Sequence, residues 1–337
     1  MRIVFLASGH FALPTLQWLA TTEHEIAAIV TQPARPAGRG RRTTRTPVRA
    51  VADELGLAVL EPEDVNTPDC LRQLAECDAQ LGLTIAFGQK LGQALLSLFG
   101  GGCINLHASL LPKFRGAAPI NWAIVRGEER TGVTVFRLVE RMDAGPILTV
   151  RETVIRPRET AAELHDRLAD LGVDAVRSAL ESCERQWSRG SGEPHPLGTP
   201  QVETDATRAP KLQKADGHVD FDRPAVAVAN RILGMTPWPG ARARFEASDG
   251  RFEDVLLLRA IACEKGEDGR SDSAGPAAAI IEPGVLDERL FVAAADGFVR
   301  ILEIKPSSGR TISWQDFVNG RHVAPGDRFR RVEPSRP

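Results

Sequence analysis

Asn105 and His107 stand two residues apart in Gly102-Cys-Ile-Asn-Leu-His-Ala-Ser-Leu-Leu-Pro-Lys-Phe-Arg-Gly-Ala-Ala-Pro-Ile120. The run Cys103–His107 is β-rich, and alternate residues of a strand share a face. An amide and an imidazole would therefore enter one cavity together. A lone histidine is more often a satisfied core residue than a reacting one. A third group changes the balance: Asp143, in Glu140-Arg-Met-Asp-Ala-Gly-Pro-Ile147, sits in a turn between two strand-like runs. By itself it reads as a turn aspartate bonded to its own backbone. Together the three supply an oxyanion donor, a titratable ring and a carboxylate, a set suited to acyl transfer without a covalent nucleophile.

Two further segments have small residues where backbone could approach a flat ligand. One is Phe87-Gly88-Gln89; the other is Ser109-Leu110-Leu111-Pro112, with Arg115-Gly-Ala-Ala-Pro behind it. Each could equally be a strand-ending turn. Gly38-Arg-Gly40 lacks the third glycine of a dinucleotide fingerprint, which argues against that cofactor, and no phosphate-binding P-loop is present. From Ile26 to Ala52 there is no Asp or Glu, while Arg35, Arg39, Arg41, Arg42, Arg45 and Arg49 accumulate. The net charge is only −2, so the attraction for a polyanion is local. The Pro36-Ala-Gly-Arg-Gly-Arg-Arg42 core reads as too irregular for a helix and too long for a tight turn. A loop of this kind could clamp phosphates and stack on exposed bases, or simply be solvated.

These groups need a scaffold. A length of 337 residues suggests about two domains. In the first half, Ile3–Ala7, Ile26–Thr31, Leu81–Phe87, Cys103–His107 and Val133–Leu138 read as strands. Helical patterns lie between them at Ala12–Ala20, Val48–Leu55, Cys70–Cys77, Leu91–Leu98 and Ile120–Val125. Such alternation predicts an α/β, Rossmann-like domain with a mainly parallel sheet, whose ligands bind beyond the carboxyl ends of the strands. A long helix is predicted over about Thr160–Gln186, and the Gly-, Pro- and Ser-rich stretch that follows marks a linker. Beyond it come a short helix near Val226–Leu233 and strands at Ala241–Phe245, Val255–Ile261, Leu290–Ala294 and Val299–Ile304, the pattern of a small C-terminal β-barrel. Gly266–Ala278 is expected to be an exposed, mobile loop. The boundaries so read are 1–188, a linker at 189–206, and a barrel domain at 207–331.

Cys70, Cys77, Cys103, Cys183 and Cys263 show no paired spacing, which favours reduced thiols over disulfides or a zinc site. No apolar run approaches a membrane span, and the opening residues resemble neither a signal peptide nor a transit sequence. A cytoplasmic protein without a metal centre is expected.

With these residues assembled, the chain resembles the methionyl-tRNA formyltransferase family over nearly its whole length. Thr31-Gln-Pro-Ala-Arg-Pro-Ala-Gly-Arg-Gly40 is similar to that family's acceptor-stem loop, and Gly102–Ile120 to its formyl-transfer motif. Asp143 lies 36 residues beyond His107 (143 − 107), as in the family pattern. Lys211-Leu-Gln-Lys-Ala-Asp-Gly-His-Val-Asp-Phe221, Pro237-Trp-Pro-Gly-Ala241 and Trp314-Gln-Asp-Phe-Val-Asn-Gly320 resemble its second-domain motifs. Three places depart from the pattern. Ala7-Ser-Gly-His-Phe11 replaces a Gly-Thr-Pro-type turn, Phe87 stands where tyrosine is common, and His218 and Phe221 lie in a variable version of their motif.

The resemblance implies a formyltransferase domain followed by an OB-like barrel that assists tRNA binding. It implies 10-formyltetrahydrofolate as co-substrate, no metal, and the acceptor stem of methionyl initiator tRNA as partner, with a monomer as the family expectation. Asn105, His107 and Asp143 would be catalytic. Phe87, Gly88, Gln89, Ser109, Leu110, Leu111 and Pro112 would hold the folate, and Arg35, Arg39, Arg41, Arg42 and Arg45 the tRNA. The formyl-transfer core is shared with sugar-nucleotide formyltransferases and with formyltetrahydrofolate hydrolases, which are the rival activities. A catalytically silent RNA-binding protein is the rival of a different class.

Overall fold

The computed structural model describes residues 1–37, 42–188, 198–263 and 282–332. The chain divides into two compact units that interleave along the sequence. The first comprises Met1–Pro119, Arg130–Val154 and His165–Ala209; the second comprises Ile120–Glu129, Ile155–Leu164 and Pro210–Pro337.

The first unit is built on a seven-stranded sheet. Its order across the sheet is Ile147–Val154, Arg130–Arg137, Cys103–His107, Leu81–Ile85, Arg2–Ala7, Glu25–Val30, Val59–Leu60. The five strands from Cys103–His107 to Val59–Leu60 pair in parallel. The two at the other edge are antiparallel. Ile3, Val4, Phe5, Leu6 and Ala7 are all fully buried. A strand covered on both faces needs an unbroken apolar run of this kind. The observed helices Pro47–Glu54 and Pro68–Glu76 begin before the predicted starts at Val48 and Cys70, because each is capped by a threonine. Thr46 accepts the N–H of Arg49 at 3.1 Å and Thr67 that of Cys70 at 3.4 Å, each followed by proline at the first helical position.

The long helix runs over Ala161–Ser188. A Cβ added at Gly172 would stand 2.6 Å from the Leu106 side chain, so the helix lies close against the face of the Cys103–His107 strand opposite to Asn105 and His107. The arginine-rich segment is not wholly irregular: Arg35–Ala37 and Arg42–Thr44 pair as two antiparallel strands, and residues 38–41 lie outside the described residues. Gly266–Ala278 lies outside the described residues.

In the second unit, Val292–Ala293, Phe298–Pro306, Phe252–Cys263, Ala241–Glu246 and Arg328–Arg330 follow one another across an antiparallel sheet, with Ile312–Ser313 paired to Phe298–Pro306. Residues 285 and 286 bridge its two ends, Val285 to Arg328 and Leu286 to Val292, so the sheet closes nearly to a barrel. Register shifts around Arg259 supply the bend such a closure needs. The buried rings of Phe245, Phe317 and Phe329 pack against one another and against the half-buried Trp314. The Trp314–Arg321 helix is an addition to the predicted elements, although Ser313 and Asp316 spell its start: the Ser313 hydroxyl accepts the N–H of Asp316 at 3.0 Å.

Candidate active site

The Cys103–His107 strand forms as the sequence predicts, between Leu81–Ile85 and Arg130–Arg137. Asn105 faces Thr84 on one side and Phe136 on the other, and His107 is paired with Thr134. Asn105 is half-buried and His107 is buried. Period-two alternation sends both side chains to one face, at the carboxyl end where the chain leaves the sheet.

His107 has two different surroundings. Its Nε2 lies 2.9 Å from the Phe114 carbonyl, and because a carbonyl only accepts, that nitrogen is the donor. Its Nδ1 points toward Asp143, with 3.9 Å to Oδ2. One ring nitrogen is thus spent on fixing the ring, and the other is turned to the carboxylate. The Phe136 ring meets the imidazole edge-on at 6.4 Å between centroids. Among the described residues the Asn105 carboxamide has no hydrogen-bond partner, which leaves its N–H groups available to a ligand oxygen.

Asp143 adopts a left-handed backbone, φ 52°, between the two antiparallel edge strands. Asp tolerates that region better than most residues. Its Oδ2 accepts the N–H of Gly116 at 2.8 Å. Gly116 itself has φ 124°, and a Cβ there would come within 2.5 Å of the Ala209 carbonyl. Only glycine fits that position.

The two loops expected near a flat ligand are held partly by their own Ser109 and Gln89 side chains and partly by Thr134 and Gln32, which the sequence did not single out. In Ser109–Pro112, the buried Thr134 hydroxyl donates to the Ser109 carbonyl at 2.7 Å and accepts the Leu111 N–H at 3.1 Å. The Ser109 hydroxyl donates to the Lys113 carbonyl at 2.6 Å. Leu110 and Pro112 are half-buried, and Leu111 is buried. In the other loop the Phe87 ring is core, and its carbonyl accepts from the Gln32 side chain at 2.9 Å. Gln32 is fixed in turn by the Ser8 hydroxyl, which accepts its N–H at 3.0 Å, so the divergent turn at Ala7–Phe11 supports this loop. Gln89 also serves its surroundings: it accepts from Val65 N at 2.8 Å and donates to the Pro62 carbonyl at 3.0 Å. Gly88, at φ 83°, is exposed between them. Side chains thus build these loops, and backbone edges and Gly88 are what they offer a ligand.

The arginines separate into groups. Arg35 pairs with Glu63 at 3.3 Å, Arg45 with Asp53 at 3.2 Å, and Arg49 with Asp53 and Glu61. Arg42 lies in the Arg42–Thr44 strand, and Arg39 and Arg41 lie outside the described residues. Among the described residues no cluster of His, Cys, Asp and Glu could hold a metal ion, and no helix is long and apolar enough to cross a membrane.

The first unit's residues thus offer an unpaired carboxamide, an imidazole nitrogen and an anchored carboxylate in one place. That arrangement can stabilise an oxyanion and accept a proton. Residues 1–180 match the formyl transferase family model, and residues 211–322 the formyl transferase C-terminal domain. The chain is 39% identical to the methionyl-tRNA formyltransferase of Solibacter usitatus over 98% of both chains. It is 35% identical to that of Geobacter metallireducens, again over 98% of both. Among solved structures, the sugar 3N-formyltransferase WlaRD superposes with a TM-score of 0.61 at 14% identity, over 92% of this chain and 99% of that one. HypX from Aquifex aeolicus, in complex with tetrahydrofolic acid, gives 0.58 at 20% identity, over 96% of this chain and 48% of that one. At such identities the two structures speak for the fold alone. Matched by both domain models and by full-length relatives at these identities, the chain belongs to the methionyl-tRNA formyltransferase family.

Proposed function

We propose that the protein transfers the formyl group of 10-formyltetrahydrofolate to the α-amino group of methionyl initiator tRNA, producing formylmethionyl-tRNA for translation initiation. The observation that carries the reading is the convergence of Asn105, His107 Nδ1 and Asp143 Oδ2 in a chain that aligns from end to end with methionyl-tRNA formyltransferases.

In the reaction, the neutral amine attacks the formyl carbon and the carbonyl electrons move to oxygen. Asn105 donates to that oxyanion, and the Nδ1 side of His107, left open by the Nε2 bond to Phe114, provides the second donor when protonated. Asp143 takes the proton released by the attacking nitrogen, directly or through one water. Collapse re-forms the carbonyl, breaks the bond to folate N10 and returns a proton to that nitrogen. Losing one oxyanion donor costs on the order of 3 kcal/mol in the barrier. The loops at Phe87–Gln89 and Ser109–Pro112 hold the pterin through backbone groups. Arg35, Arg39, Arg41, Arg42 and Arg45 engage the acceptor stem, where phosphate contacts position the RNA. For Arg35 and Arg45, that engagement exchanges a surface carboxylate for a phosphate.

Residues 1–188 carry the chemistry, and the barrel at 207–331 assists tRNA binding. The protein acts as a cytoplasmic monomer. The test is incubation with 10-formyltetrahydrofolate and charged initiator tRNA, followed by detection of formylmethionine. Folate turnover without tRNA would replace this reading with hydrolysis. Turnover only with an amino-sugar nucleotide would make the protein a sugar formyltransferase.

A further inference from the structure

The segment after the long helix does more than connect. Thr199 and Ile147 exchange two backbone hydrogen bonds of 2.8 Å, and Arg208–Ala209 pairs in parallel with Arg115–Gly116. Thr207 accepts the Phe114 N–H at 2.8 Å through its hydroxyl. Residues 199–209 therefore run alongside the turn that carries Asp143 and the short strand that carries Gly116.

Gln201 is the centre of this contact. Its amide nitrogen donates to the Asp143 carbonyl at 2.9 Å and to the Gly145 carbonyl at 2.7 Å. Its amide oxygen accepts from Arg115 Nε at 3.1 Å and Nη2 at 2.7 Å. Arg115 is buried, 9% exposed, and is held from its other side by Glu203 at 2.9 and 3.1 Å. An amide that spends both donors on the carbonyl of a left-handed residue and on that of the residue two further on fixes the conformation of that turn. The turn in question aims the Asp143 carboxylate at His107.

We propose that Gln201 is a positioning residue for formyl transfer: its carboxamide clamps the Asp143–Gly145 turn so that the Asp143 carboxylate stays on Gly116 and faces His107. This inference rests on the catalytic role proposed above for Asp143. Arg115 orients the amide, so that the nitrogen rather than the oxygen meets the two carbonyls. A displacement of about 1 Å at such a group can cost on the order of a hundredfold in rate.

Gln201→Glu separates positioning from mere docking of the segment. A carboxylate keeps the size and the Arg115 contact but has no proton to donate to Asp143 and Gly145. Formylation kinetics of the full-length protein, Gln201→Glu and Gln201→Ala are compared, together with melting temperatures. The expected result is a fall in kcat of at least about tenfold in both variants, with KM for folate and tRNA within about twofold of the parent and unchanged melting. Wild-type kcat in Gln201→Glu overturns the proposal. So does a loss that appears in KM, or that accompanies a lowered melting temperature, because either makes Gln201 a docking residue only. An inactive parent protein would instead sink the formyltransferase reading itself.

Discussion

The N–H of Gly116 donates to Asp143 Oδ2 at 2.8 Å, from a backbone conformation that only glycine takes easily. That bond ties a loop following the Asn-x-His strand to a turn between two other strands, and it orients the carboxylate toward His107. The site is thus held by backbone as much as by side chains.

Gly116→Ala tests that bond. A methyl group at φ 124° and 2.5 Å from the Ala209 carbonyl must displace one of the two backbones. The strain costs about 1–3 kcal/mol of stability. Loss of formyl transfer is expected to exceed what this destabilisation explains when activity is measured well below the melting temperature.

Asn105→Ala, His107→Ala and Asp143→Ala should each lower single-turnover formylation by on the order of a hundredfold or more, with near-parental melting. Rapid-quench measurement of the first turnover is the check. Retention of rate in all three would remove them from the chemistry.

Arg39→Ala should weaken use of tRNA and leave the folate KM alone. For each phosphate that the protein no longer neutralises, the slope of log affinity against log salt becomes shallower by about 0.7–1. Binding measured over a salt series decides it: an unchanged slope makes the arginine segment a solvated surface.

Glu163 gives the second unit a pH-dependent element. Its hydrogen bonds to Arg259, and then to Thr160, hold its carboxyl at about 2, against an ordinary 4.5. A depressed carboxyl contributes stability above its unfolded value and loses it as pH falls through the folded one. The pair is half-exposed, so the contribution is about 0.5–1 kcal/mol. Glu163→Gln should therefore destabilise at pH 7, and the gap from the parent in urea melts should shrink as pH drops from 4.5 toward 2.

Burial pushes the Cys103 thiol up to about 12 and that of Cys183 to about 11, and none of the five cysteines is in a disulfide. Thiolate, the reactive form, is scarce at neutral pH in such sites. A thiol reagent should leave these two untouched in the native protein and titrate all five in denaturant.

The sequence alone determined the pair. Two residues apart on a strand, Asn105 and His107 share a face whatever the rest of the chain does, because the pleat repeats every two residues. It also pointed to the sheet: the β-rich apolar runs at Ile3–Ala7 and Leu81–Phe87 read as strands, and the strands Arg2–Ala7 and Leu81–Ile85 lie there, buried as a strand covered on both faces must be. Local pattern was enough for these, since local sterics and burial decide them. Gln89 and Ser109 were legible as loop residues, but not that their side chains are consumed in building the loops. Thr134 and Gln201 carried no local signal at all. Their partners lie 25 and 58 residues away in the chain, and only tertiary structure brings a hydroxyl to Ser109 or an amide to Asp143. The order of residues thus set which groups could react, and long-range backbone hydrogen bonding set where they point.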